Sequence, residues 1–255
     1  AVLTVGLLSA ALVCILIYAK VKPQLDECRE LAYDKLAQME RTDFSMLSDT
    51  VIYDKDGRQV GLINAGHYQY VDISHISMNI QNAYIAQEDR RFKSHTGVDW
   101  IATLRAGLAL IKHNGQVTQG GSTITQQLAK NQYFTQEQTV ERKIAEVFMA
   151  LTMEQHFSKR TILELYVNSI YFGDGYEGIG SASWGYFGKA PSALDADECT
   201  LLAGIPNAPS VYALSQNPGL ARERQQEVLR KLVSYDYLGQ DAAQHILGNL
   251  RALAA

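Results

Sequence analysis

The chain opens on an uncharged, mostly apolar run, residues 1–19. As a helix at ~1.5 Å per residue it reaches roughly 28 Å, close to the hydrocarbon thickness of a bilayer, and Tyr18, Lys20 and Lys22 stand where interfacial anchors belong. A signal-peptide core is usually only about 7–15 residues long, so the run predicts a retained transmembrane helix. After Pro23, the spacing of Leu25, Leu31, Leu36 and Met39 among charges predicts an amphipathic helix over 24–41, inside a juxtamembrane linker of residues 20–48. Thr50 to Ile63 then alternates around Asp56-Gly57 and predicts a small β-hairpin. From Ile73 onward the periodicity is nearly all helical. Ile76, Ile80, Ala83 and Tyr84 form one apolar face, Ile124 and Leu128 a second, and Ile144, Val147, Phe148 and Leu151 a third. The last clear helix, about Gly219 to Ser234, is polar and is expected on the outside. Residues 49–255 therefore read as one mostly α domain with a small β-hairpin, preceded by one transmembrane helix.

Composition changes little in this picture. Charged residues make up 20% and hydrophobic ones 47%, ordinary for a globular chain. The formal net charge of -4 argues against a nucleic-acid partner, although the basic residues are clustered, which matters more for a local phosphate site. Cys14 lies in the apolar run, and Cys28 and Cys199 are far apart, so the domain is not built on disulfides. No Cys/His spacing suggests a zinc site.

Three polar blocks carry candidate chemistry. In the first, Glu88-Asp89 ends a helix and is followed by Arg90, Arg91, Lys93 and His95. Nearby cations favour an ionised carboxylate, which suits a base better than an acid; by itself the block also reads as a surface salt-bridge cluster. In the second, Gln119-Gly120-Gly121 precedes a helix expected to be capped by Ser122 and to run to about Asn131. At 100° per residue Thr123, Gln127 and Lys130 fall within about 60° of one another. A helix N-terminus with a hydroxyl, an amide and an ammonium on one face suits a phosphate. Residues 112–118 before it have loop composition and read as a mobile flap. The third block lies on a helix from about Thr139 to His156, where Arg142 and Glu146 share a face flanked by Met149 and Ala150, the pattern of a cleft wall. A fourth stretch, Lys159 to Asn168, reads as structural, with Glu164 a paired carboxylate, and the glycines from Gly173 to Gly188 read as tight turns.

Glu88–His95 with Gly97-Val98-Asp99, Gly120–Asn131, Arg142–Glu146, Lys159–Asn168 and Tyr186-Phe187-Gly188-Lys189 together resemble, in order, the five motifs of the family 51 peptidoglycan glycosyltransferases. The resemblance covers roughly residues 50–215. It implies a lysozyme-like, bilobal helical domain with a membrane-dipping region, on the extracytoplasmic side of a bacterial cytoplasmic membrane. It further implies polymerisation of lipid II into β-1,4-linked glycan with release of undecaprenyl pyrophosphate. Glu88 would be the general base. Lys130, Arg142 and Lys143 would stabilise the pyrophosphate, and Glu146, the second catalytic carboxylate, would orient these cations, a metal ion or the donor. Thr123, Gln127 and Asn131 match donor-site positions, and Asp89, Phe92 and His95 match the setting of the base. The same resemblance implies Mg or Mn on the substrate pyrophosphate without a protein metal cage, a growing lipid-linked glycan as the second substrate, and other cell-wall synthesis proteins as partners. Two departures stand out: Val167 where the family has Leu, and Tyr176-Glu177-Gly178-Ile179 where it has Ala-Tyr-Gly-Ile. The competing readings are a lytic muramidase, in which one Glu acts as an acid, and a membrane-tethered glycan-binding module without catalysis.

Overall fold

The structure is a computed structural model that describes residues 19, 22–34, 50–56, 58–63, 69–113, 120–134 and 139–253. The expected membrane span at 1–19 lies almost wholly outside the described residues, as does the expected flap beyond His113. Among the described residues no helix is long and apolar enough to cross a membrane.

Residues 22–34 form helix α1. Strands β1 (Thr50–Tyr53) and β2 (Gln59–Ile63) pair antiparallel, with an irregularity between Ile52 and Tyr53. Everything after them is helical or irregular: α2 (Met78–Glu88), α3 (Trp100–Lys112), α4 (Ile124–Tyr133), α5 (Val140–His156), α6 (Lys159–Ser169), α7 (Gly178–Phe187), α8 (Ala196–Gly204), α9 (Pro209–Tyr212), α10 (Pro218–Ser234) and α11 (Gln240–Leu253). Capping residues fix many of the starts. Ser77, Asp99, Thr139 and Ser158 each accept a first-turn N–H, and Asp195 does so in a reciprocal box with Glu198.

The helices pack in two groups. In one, α2 lies against α8 and α10; in the other, α4 lies against α5 and α6. They share one hydrophobic core, joined where Tyr84 of α2 meets Tyr166 of α6 edge-on at 6.0 Å and Phe172 at 6.4 Å. Helix α2 is buried on nearly every side from Ile80 to Gln87. Its C-terminal end, with Glu88, therefore emerges from the centre of the molecule, held by burial rather than by loop geometry.

Several expectations are corrected. The buried residues of α1 are Cys28 and Ala32, with the Cys28 thiol donating to Glu141 O at 3.5 Å, while Leu31 faces outward; Leu36 and Met39 lie outside the described residues. On α5 the core takes the opposite side from the expected apolar stripe. Ala145, Met149, Ala150 and Met153 are fully buried, whereas Ile144, Val147, Phe148 and Leu151 are half-buried. This helix is apolar on two sides, and its packing against α4 and α6 decides which becomes the inner one. Helix α10 is not peripheral: Val228, Leu229 and Leu232 are buried, and the buried Gln225 amide donates to Asp197 and Thr200. A polar helix can pack inside when each inward polar group finds a partner. Beyond it α11 adds a further helix against α10.

Candidate active site

The N-terminus of α4 organises the site, and its cap is Thr123 rather than the expected Ser122. Thr123 Oγ1 accepts from Gln126 N and donates to Gly97 O at 2.6 Å, and Gln126 Oε1 accepts from Thr123 N at 3.0 Å. The side chain of Thr123 is thus buried in the scaffold instead of sharing an open face with Gln127 and Lys130. The next amide, Ile124 N, donates to Asp89 Oδ2 at 3.0 Å. A carboxylate of the protein therefore already occupies the helix end that looked ready for a phosphate.

Asp89 also meets His95, whose Nε2 lies 2.8 Å from Asp89 Oδ2. The Gly97 N–H donates to His95 Nδ1 at 3.1 Å, so Nδ1 is the unprotonated nitrogen and Nε2–H faces Asp89. Lys159 reaches the same Nδ1 at 3.4 Å, lies 4.5 Å from the centre of the Phe92 ring, and pairs with Glu154 at 2.7 Å, which in turn accepts from Thr125. Asp89, Phe92 and His95 consequently form a buried bracket that sets the backbone after α2. Gly97 completes it: its φ is +98°, and a Cβ there would stand 2.5 Å from Ala150 O.

Glu88 is half-buried at the end of α2 and accepts a hydrogen bond from Gln127 Nε2 at 3.0 Å. Among the described residues no cation forms a salt bridge with it, although the Lys231 ammonium, which donates to Gln87 O at 2.8 Å, lies near enough to feel its charge. The sequence neighbours of Glu88 take other partners: Arg91 forms two hydrogen bonds to Asp99 at 2.7 and 2.5 Å, Arg90 lies over the Tyr235 ring at 4.3 Å, and Lys93 lies 6.0 Å from the centre of the Tyr237 ring. The donor beside Glu88 is thus an amide from another helix, where sequence order suggested adjacent cations. Burial raises the Asp99 carboxyl, but the Arg91 guanidinium and the Ala102 N–H outweigh it and hold Asp99 below the usual carboxylate range.

A cavity of about 340 Å³ opens in front of Glu88. Of the expected site residues, Glu88, Asp89 and Thr123 line it, with Gly120, Gly121 and Ser122 as one wall. Arg142, Lys143 and Glu146 lie behind that wall on α5. Glu146, 1% exposed, pairs with Arg142 at 3.0 Å and Lys143 at 2.8 Å, and Lys143 also donates to Ser122 Oγ at 2.8 Å. The cations are thereby tethered to the cavity rim. Lys130, half-buried, and Asn131, exposed, sit further along α4 by ~9 Å at helical rise and do not line the cavity.

Arg90, Arg91 and Asp99, which the sequence blocks contained without assigning them to the site, also line the cavity, and Ala102, Arg105 and Tyr235 escaped the sequence reading. Arg105 had a signal, as a lone arginine on the otherwise apolar stretch Trp100–Ile111. Tyr235 had none, since it reaches the site from the end of α10. Among the described residues no group of three His, Cys, Asp or Glu side chains is gathered to hold a metal.

A family model described as transglycosylase matches residues 56–233. The chain is 43% identical over 187 residues to penicillin-binding protein 1A of Aquifex aeolicus, covering 73% of this chain and 26% of that protein. It is 42% identical over 164 residues to a Cupriavidus necator protein carrying a transglycosylase name, covering 64% and 70% respectively. The chain spans about a quarter of the length of the penicillin-binding proteins it matches. A crystal structure of penicillin-binding protein 1A from Haemophilus influenzae aligns with a TM-score of 0.43 at 18% identity, over 78% of this chain and 20% of that one.

Proposed function

Given that the chain belongs to the transglycosylase family, we propose that it polymerises lipid II into β-1,4-linked glycan, with Glu88 as the general base. The observation that carries this reading is the Gln127 amide N–H directed at Glu88 Oε2. With a donor against one of its oxygens Glu88 is placed as a hydrogen-bond acceptor, the role a base plays, which supports a base over the proton-donating acid of a lytic enzyme. Glu88 would take the proton from the acceptor sugar's 4-hydroxyl as that oxygen attacks the anomeric carbon of the lipid-linked donor. The carbon–pyrophosphate bond breaks, inverting that centre, and undecaprenyl pyrophosphate leaves.

Charge on the leaving group would be met by Arg142 and Lys143, held in place by Glu146, and Lys130 would serve the same anion from further along α4. Thr123 and Asn131 belong to the donor side in this reading. Magnesium or manganese would enter with the substrate's own phosphates, and no step here depends on it. Supporting a bilayer location, Trp100, Ile101, Leu104, Leu108 and Ile111 of α3 are all at least 60% exposed and fall within about 100° of the helix circumference, beside a cavity that would take a lipid-linked substrate. The enzyme would work on the extracytoplasmic face of a bacterial cytoplasmic membrane, alongside other cell-wall synthesis proteins.

Incubation with purified lipid II tests the reading. Glycan polymer should form with the native chain and not with Glu88→Gln of unchanged circular dichroism. Breakdown of finished glycan without polymer would replace the proposal with the lytic one, and polymer from Glu88→Gln would remove Glu88 as the base.

A further inference from the structure

The amide that faces Glu88 is itself held at its other end. Tyr166 of α6, only 1% exposed, donates its hydroxyl to Gln127 Oε1 at 3.1 Å, while Gln127 Nε2 donates to Glu88 Oε2 at 3.0 Å. A glutamine amide has two ends of opposite polarity, and either can be turned toward a neighbour. With Nε2 toward Glu88 the carboxylate receives a hydrogen bond. With the carbonyl toward it, two acceptors would face each other, and the carboxylate would lose the donor that steadies its charge. Which end faces Glu88 therefore decides whether it can act as a base.

Tyr166 fixes that choice. Burial, followed by the negative charges of Glu88 and Asp89, pushes its phenol well above its usual value, so it remains an O–H donor that needs an acceptor. The Gln127 carbonyl is the acceptor it has among the described residues. Its ring cannot swing away, because it packs edge-on against Tyr84 on the helix that ends in Glu88. One amide thus joins α2, α4 and α6 through side chains whose orientations depend on one another.

We propose that Tyr166 is a positioning residue for the transfer reaction: through Gln127 it keeps an amide N–H, and not an amide carbonyl, against Glu88. The inference rests on the reading of Glu88 as the base.

The test measures lipid II polymerisation by the full chain across pH for the native protein, Tyr166→Phe, Gln127→Ala, the double variant and Glu88→Gln. Tyr166→Phe keeps the ring and its packing. It should lower kcat about tenfold, the equivalent of one hydrogen bond, with KM within about twofold. The acid limb of its kcat/KM profile should move to higher pH, and adding the Phe exchange to Gln127→Ala should change nothing further. An unmoved acid limb, or the same loss with and without Gln127, would overturn the positioning role while an inactive Glu88→Gln left the base assignment standing. An active Glu88→Gln would remove both. Should Tyr166→Phe fail to melt cooperatively, Gln127→Glu replaces the N–H donor while leaving Tyr166 an acceptor. The acid limb should then also rise, and a limb that stays in place overturns the proposal.

Discussion

Glu88 and Gln127 are 39 positions apart in the chain, yet the amide of one lies 3.0 Å from the carboxylate of the other. Each comes from a different packed group of helices, so the hydrogen bond exists only when both groups are assembled. Removing the amide should lower activity without removing the base. Gln127→Ala is expected to cut kcat about tenfold to a hundredfold, while Glu88→Gln should cost about a hundredfold to ten-thousandfold, the range of general base catalysis. Initial rates of polymer formation from lipid II distinguish the two.

Glu146 should matter for stability as well as activity. It is a buried carboxylate with two cations, and Arg142 is itself only 15% exposed in its side chain. Glu146→Gln leaves a buried guanidinium without its counter-charge and is expected to destabilise by about 3 kcal/mol or more. Lys143 is nearly half exposed, so Lys143→Ala should cost about 1 kcal/mol or less while still lowering the rate. Urea denaturation of the three proteins, set beside their rates, separates a structural loss from a chemical one. Equal stability in all three would contradict the burial argument.

Gly97→Ala combines a left-handed backbone with a steric clash against the α5 backbone. The bracket of Asp89, His95 and Gly97 cannot shift without breaking its bonds to α4, so the strain should appear as about 2 kcal/mol or more of lost stability. A thermal melt of Gly97→Ala that matched the native midpoint would show that the loop relaxes where the geometry says it cannot.

Asp99 gives a pH dependence of known sign. Its carboxyl is held below the value it has in the unfolded chain, about 3.9, despite the opposing effect of burial. The stabilisation is therefore present above that value and is lost as pH falls toward the folded one. Asp99→Asn should be less stable than the native chain at pH 7, and the gap should narrow in acid. Urea midpoints at pH 7 and pH 3 measure it, and a gap that widened in acid would reverse the assignment.

The apolar face of α3 should bind a bilayer. Leu104→Lys with Leu108→Lys places two charges in the middle of that exposed stripe and, because neither side chain is buried, should leave the fold intact. Co-sedimentation with phosphatidylglycerol vesicles at high salt should fall several-fold in the double variant, since high salt removes the purely electrostatic part of binding. Undiminished sedimentation would show that another surface carries the attachment.

The sequence by itself determined the local chemistry. The apolar periodicity of α2 and α4, the small hairpin and the ordered motifs are legible in it, because each depends on residues a few positions apart, whereas Tyr70 and Ile73, the partners of the structural Glu164, lie 94 and 91 positions away. The direction of side chains across the fold was not visible. The buried side of α5 reads as a cleft wall and the opposite stripe as the core, because its apolar residues run almost around the helix and only the neighbouring helices choose between two hydrophobic faces. Arg90 and Arg91 stand next to Glu88 in sequence but take Tyr235 and Asp99 as partners along the same cavity, while Gln127 and Tyr166 are distant in sequence and adjacent in space. Tertiary structure decided these partners, because a hydrogen bond or an ion pair acts over about 3–4 Å and only packing sets which groups come that close.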